Sequence, residues 1–112
     1  LAELKNTSQV KGFRAEHSVI KLLESKNWNL EFQRLKTDIA EIDLIFEKSG
    51  EVILVEVKTL NNSWRAFDRI QGSQLKKLEL NLFLFRKKFS DIHFRAFVAW
   101  VCPENKISFV EI

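Results

Sequence analysis

Hydrophobic positions repeat along this chain in two rhythms, and the switches between them mark out its elements. Over residues 8–26 the spacing is helical: Phe13, Val19, Ile20 and Leu23 fall on one stripe when wound at ~100° per residue. A strand follows near residues 28–35. The runs Glu41-Ile42-Asp43-Leu44-Ile45-Phe46 and Val52-Ile53-Leu54-Val55-Glu56-Val57-Lys58 then alternate with period two, and the turn signal Lys48-Ser49-Gly50 folds one back on the other as a hairpin. After a loop over residues 60–72, a second helical pattern covers 73–89, and strand patterns cover 92–101 and 106–111. The order α-β-β-β-α-β-β predicts an α/β fold, a central mixed sheet of about five strands flanked by helices.

Three charged residues break the apolar rule of the hairpin. Ile53, Val55 and Val57 point to one face of their strand, whereas Leu54, Glu56 and Lys58 point to the other, so Glu56 and Lys58 are neighbours. Hairpin pairing brings Asp43 beside Glu56. Two half-buried carboxylates repel and resist ionisation unless a cation of higher charge lies between them, and a divalent ion with oxygen ligands satisfies both. The alternative is an ion-pair ladder in which Lys58 pairs with Glu56 and no metal binds. Glu16 presents a related problem, because it sits inside the apolar stripe of the first helix, where a lone carboxylate costs several kcal/mol. Its partner is either the same ion, directly or through water, or a structural pair with Arg14, Lys58 or a backbone donor. His17 and His93 have no ligand spacing and read as structural or surface residues.

Composition narrows the setting. A chain of 112 residues with 46% hydrophobic content supports one core, a single domain over residues 1–112. The lone Cys102 excludes an internal disulfide and a thiolate metal cluster, and reads as a small buried hydrophobe on a strand. No apolar run approaches the roughly 20 residues that span a bilayer, and the first residues lack a signal-peptide core, so the expectation is a soluble, cytoplasmic protein without a membrane partner. The net charge is only +3, yet Arg65, Arg69, Lys76, Lys77, Arg86, Lys87 and Lys88 lie together in sequence against only Asp68 and Glu79. Such a segment beside a carboxylate site suits a polyanion. The loop mixes Trp64 and Phe67 with Arg65 and Arg69, a composition for phosphate contact and base stacking, or for anchoring the loop to the core. In the second helix Leu75, Leu78, Leu82, Phe85 and Phe89 form a sheet-facing stripe, while Leu80, Phe83 and Leu84 point elsewhere and ask for another partner, such as a second copy in a homodimer.

The constellation of Glu16 in Gly12-Phe13-Arg14-Ala15-Glu16, Asp43 in Glu41-Ile42-Asp43-Leu44-Ile45, and Val55-Glu56-Val57-Lys58-Thr59 resembles the PD-(D/E)xK nuclease superfamily. Within it the chain looks most like the small bacterial YraN-type proteins, which are similar to Holliday-junction resolvases. The resemblance implies a restriction-endonuclease-like, resolvase-like core and a Mg²⁺- or Mn²⁺-dependent endonuclease acting on DNA, branched or otherwise structured. It implies Asp43 and Glu56 as metal ligands, the Val57 carbonyl as a further one, Glu16 as an outer or additional ligand, and Lys58 as the catalytic lysine. It also implies a dimer, in agreement with the spare face of the second helix, and places Gln74 and Lys77 facing the site; Arg65, Arg69 and Lys76 complete the expected DNA contacts. Ala40 stands where the family usually has glycine, and Leu60 where it usually has arginine. A non-catalytic nucleic-acid-binding or assembly module retaining the nuclease fold is the alternative.

Overall fold

The structure, a computed structural model, describes the backbone of residues 7–59 and 72–112 and the side chains of residues 14–59 and 72–112. Its elements follow the expected order: α1 (Thr7–Ser25), β1 (Asn29–Lys36), β2 (Glu41–Lys48), β3 (Glu51–Thr59), α2 (Gly72–Lys88), β4 (His93–Val101) and β5 (Ile107–Glu111). A short turn, Pro103–Asn105, which the hydrophobic pattern does not announce, joins the last two strands. The five strands form one sheet in the order β1-β2-β3-β4-β5, with β3 and β4 parallel and the other neighbours antiparallel. No helix among the described residues is long and apolar enough to cross a membrane.

The helices lie on opposite faces of the sheet, each seating its apolar stripe. Ala15, Val19 and Leu23 of α1 meet Leu44, Phe46, Ile53, Val55, Ala99 and Val101. On the other face, Leu78 and Leu82 of α2 meet Ile45, Leu54, Phe94, Ala96, Val98 and Trp100. A sheet covered on both faces explains why β3 and β4 read as nearly continuous apolar runs. Phe89, expected in the sheet-facing stripe, is instead 40% exposed, although its ring centroid lies 6.2 Å from those of both Phe85 and Phe94. Cys102 lies just past β4 rather than on it and is half-buried.

Local chemistry sets the chain reversals. The β2–β3 turn has Ser49 at φ 50° and Gly50 at φ 82°, two successive left-handed residues that match the right-handed twist of a tight hairpin. At the end of α1, Asn27 adopts φ 70°, its amide donates to the Glu24 carbonyl at 3.0 Å, and the Trp28 amide donates to the Leu23 carbonyl at 3.0 Å. This is a Schellman closure, in which a left-handed residue lets the last carbonyls of the helix find donors.

β2 departs from strict alternation at one place. Leu44 and Phe46 face α1, but Ile42 joins the core on the α2 side, so the alternation slips at Asp43. Across on β1, Gln33 pairs with Leu44 and Leu35 with Ile42, which leaves Arg34 opposite Asp43, and Arg34 has φ 52°. A left-handed non-glycine residue within a strand is strained, typically by about 1–3 kcal/mol. Both irregularities fall beside the charged residues of the hairpin.

The Schellman closure predicts that Asn27→Gly leaves stability unchanged or raised, whereas Asn27→Ala lowers it by about 1 kcal/mol, the cost of a left-handed conformation for a side chain unable to bond locally. Urea denaturation of the three proteins measures the difference. Equal losses in both variants would show that the left-handed conformation is not what the position requires.

Candidate metal centre

The site begins where two strands part. β2 and β3 pair from Lys48 and Glu51 up to Leu44 and Val55, and the next opposed positions are Asp43 and Glu56. Beyond that point a side chain replaces the ladder: the Val57 amide donates to Asp43 Oδ2 at 2.8 Å. The freed strand ends carry both carboxyl groups, half-buried and within hydrogen-bonding reach of each other. Lys58 Nζ lies 3.5 Å from Glu56 Oε1, as the shared strand face requires.

Burial and mutual repulsion hold protons on this pair. The Glu56 carboxyl is pushed up to about 7, first by burial and then by the charge of Asp43, against the pull of Lys58. Asp43 is also raised by burial, although the Val57 amide and Lys58 oppose the rise. The two carboxyl groups therefore titrate as a coupled pair, both held above their ordinary values first by burial. A divalent ion between them would release the protons held there and remove the repulsion.

Glu16 is buried, as its place in the α1 stripe predicts, at 6% exposure. Its partner is neither Arg14, which is exposed, nor Lys58: Glu16 Oε2 accepts a charge-assisted hydrogen bond from Arg34 of β1. The left-handed backbone of Arg34 accompanies this reach toward α1, a conformation that no pattern in a strand sequence announces. Glu16 Oε1 is buried and has no hydrogen-bond partner among the described residues. Burial raises the Glu16 carboxyl, Arg34 counters, and the charges of Asp43 and Glu41 add to the rise, so Glu16 belongs electrostatically to the same site.

The donor set therefore fits a hard dication through two adjoining carboxyl groups, with Glu16 near enough to feel Asp43 and holding one oxygen unsatisfied among the described residues. No three Asp, Glu, His or Cys side chains among the described residues converge as a ready-made ligand group. Glu16 is drawn to Arg34 instead, so the geometry supports it as an outer participant. His17 and His93 are exposed.

On the α2 side, Glu56 shares a cavity of about 200 Å³ with Ala40, Glu41, Gln74, Lys77, Leu78 and Asn81. A smaller hollow beside it is lined by Glu56, Lys58, Gln74 and Leu75. The structure thus brings Gln74 and Lys77 to Glu56, while Lys76 is exposed on α2 and lines neither hollow. Trp64, Arg65, Phe67 and Arg69 lie outside the described residues. Leu80, Phe83 and Leu84 are 48, 56 and 45% exposed, the uncovered face anticipated for α2. Asn81, Arg34 and Glu41 are the site residues that sequence reasoning missed. Asn81 was open to the argument that found Glu16, since it too is a polar residue inside an apolar helical stripe.

Because folding raises all three carboxyl groups, the metal-free protein holds protons more tightly than the unfolded chain does. The stability this gives is complete below about 3.8, the ordinary Asp value, and is lost as pH rises through about 7, where Glu56 titrates. The expected loss between pH 5 and 8 in EDTA is on the order of 3 kcal/mol, at about 1.4 kcal/mol per pKa unit. Glu56→Gln should flatten most of the profile, and so should millimolar Mg²⁺. Urea denaturation at the two pH values measures this; a wild-type protein more stable at pH 8 than at pH 5 in EDTA would refute the coupled pair.

The chain matches the model of the uncharacterised protein family UPF0102 over residues 15–111, a span that contains the whole carboxylate site. It is 42% identical over 67 residues to the UPF0102 protein of Roseobacter denitrificans, covering 60% of this chain and 52% of that protein. It is 33% identical over 78 residues to that of Ruegeria pomeroyi, covering 70% of this chain and 63% of the relative. Against the relative from Parvibaculum lavamentivorans it is 30% identical over 97 residues, covering 84% and 73% of the two chains. The match thus spans less than two thirds of the first two relatives' own lengths and more than two thirds of the third. With nearly all of its described fold inside the family model, this chain belongs to the UPF0102 family.

Proposed function

We propose that this chain is a PD-(D/E)xK nuclease of the YraN type, a Mg²⁺- or Mn²⁺-dependent endonuclease that hydrolyses phosphodiester bonds in branched or otherwise structured DNA in the cytoplasm. The observation that carries the reading is the Asp43–Glu56 pair, two carboxyl groups in contact at the parted ends of β2 and β3 with Lys58 beside them. In a buried structural pair one expects carboxylate against cation. Carboxyl against carboxyl is an arrangement that a dication would relieve.

Asp43, Glu56 and the Val57 carbonyl would hold the ion, with Glu16 behind them. When bound, the ion supplies Lewis acidity at the scissile phosphate and eases ionisation of the attacking water. Lys58 presents a compact ammonium that can donate to a phosphoryl oxygen as negative charge develops. Gln74 and Lys77 face the same hollow from α2 and meet the backbone of the substrate, with Lys76, Arg65 and Arg69 extending the contact to neighbouring phosphates. The ion pair of Lys58 with Glu56 is the observation that favours the second reading, a non-catalytic module in which the pair is structural. Metal binding discriminates between the two.

The test is a cleavage panel of four-way junction, flap, nicked and duplex DNA with Mg²⁺, Mn²⁺ or EDTA. Asp43→Asn and Glu56→Gln should abolish cleavage while leaving DNA affinity equal or higher, since each removes negative charge beside phosphates. Lys58→Ala should lower turnover at least about a hundredfold with little change in melting temperature, and Lys58→Arg should rescue poorly. Cleavage by either carboxylate variant at the wild-type rate would refute the metal centre. Unfolding of Lys58→Ala together with absent metal binding would favour the structural pair.

We also propose that Leu80, Phe83 and Leu84 form a two-fold interface, which would set two active sites on the paired strands of a junction. Symmetry repeats any substitution there, so Leu84→Glu should give a folded monomer that binds metal but loses paired incision. Light scattering during size exclusion, with nicking assayed on the same sample, provides the check. A wild-type monomer at micromolar concentration would refute the dimer.

A further inference from the structure

Asn81 is a buried polar residue for which the chemistry above finds no use. It lies on α2 at 3% exposure, in the company of Leu78 and Leu82, both of which enter the core. An amide buried there gives up its hydration and must recover hydrogen bonds within the protein. It recovers them from the β1–β2 turn. Its Oδ1 lies 2.8 Å from the Thr37 hydroxyl, and its Nδ2 donates to the Ala40 carbonyl at 3.4 Å. Thr37 Oγ1 in turn accepts from the amides of Ile39 and Ala40 at 3.1 and 3.2 Å, so Asn81 grips a turn already closed around one oxygen.

The grip has a direction. Ala40 is the residue before β2 begins, three positions ahead of Asp43. On α2, Gln74 and Lys77 precede Asn81 by seven and four residues, which places all three on one side of the helix, and all three line the cavity that holds Glu56. One end of the stripe is thus tied to the turn that leads into the strand carrying Asp43, and the other reaches over Glu56.

The geometry points to Asn81 as a positioning residue: its clasp on Thr37 and Ala40 fixes where α2 lies over the parted ends of β2 and β3, and so holds Lys77 and Gln74 at Glu56 for a substrate phosphate. That role rests on the endonuclease reading of the site, whereas the ordering of this half of α2 by the clasp does not. An apolar side chain at position 81 would fill the same core without the tie. A displacement of about 1 Å in a group that positions substrate is enough to cost up to a hundredfold in turnover, so the clasp has leverage out of proportion to its two hydrogen bonds.

The test compares Asn81→Leu, Thr37→Val, the double variant and the conservative Thr37→Ser, using the intact chain with Mg²⁺ and a four-way junction. The expected result is a fall in kcat of about tenfold or more with KM for DNA within about twofold, the signature of lost positioning rather than lost binding. Amide hydrogen exchange over residues 76–80 should speed up about tenfold or more in the same variants. Thr37→Ser should restore both readouts, and the double variant should be no worse than the more affected single one, because both break one clasp. Wild-type kcat per folded molecule, or unchanged exchange over residues 76–80, would overturn the proposal. If the wild-type protein cleaves no DNA with either metal, the endonuclease reading fails and exchange alone decides the clasp: faster exchange upholds it, and unchanged exchange refutes it. Should Asn81→Leu fail to fold, Thr37→Val in its half-exposed turn carries the same comparison.

Discussion

Repulsion between Asp43 and Glu56 is the constraint around which this small fold is arranged. Sheet pairing normally joins strands to their ends, yet here β2 and β3 stop pairing where two carboxyl groups would come face to face. The remaining contact is managed by its neighbours: the Val57 amide bonds Asp43, Lys58 stands against Glu56, and a proton is retained on Glu56 up to about 7. Each of these neighbours moderates the repulsion without abolishing it. A species that carries two positive charges and is small enough to fit between the two groups would relieve what remains.

Each helix contributes to this centre through one polar residue in its buried stripe. Glu16 of α1 approaches from one face of the sheet and brings Arg34 with it; Asn81 of α2 approaches from the other and fixes the turn before β2. In a domain this size, apolar residues at both positions would bury more hydrophobic surface with no bonds to satisfy. The two exceptions instead tie α1 to β1 at the residue opposite Asp43, and α2 to the turn that leads into β2, so the same contacts serve packing and site geometry.

Much of this was legible because periodicity exposes exceptions. A carboxylate in a helical stripe, an aspartate and a glutamate in two paired strands, and Ser49-Gly50 between them are each visible against a regular background. The uncovered face of α2 was equally plain, since Leu80, Phe83 and Leu84 cannot share a side with Leu78 and Leu82. What escaped was decided by backbone conformation rather than by side-chain type. Nothing in the letters around Arg34 indicates φ 52°, and the slip that sends Ile42 to the α2 core breaks an alternation that looks intact on paper. Arg34 was missing from the structural partners considered for Glu16 for that reason: strand periodicity directs side chains to two faces only and has no rule for a left-handed residue. Asn81 was a different omission, a second instance of a pattern already recognised in α1.

The position of β3 in the sheet has a consequence for motion. It is the middle strand of five, paired with β2 on one side and β4 on the other, and it carries Glu56, Val57 and Lys58. Edge strands and helix ends fray on their own, but a central strand covered on both faces opens only when most of the domain opens with it. An ion or substrate bound as proposed would reach Glu56 through the gap between the strand ends, beside Lys58 and Lys77, with the strand itself held still. Exchange of such an ion would need only side-chain rearrangement at the rim, on timescales far shorter than unfolding, and its occupancy would follow the concentration of free cation without any loosening of the fold.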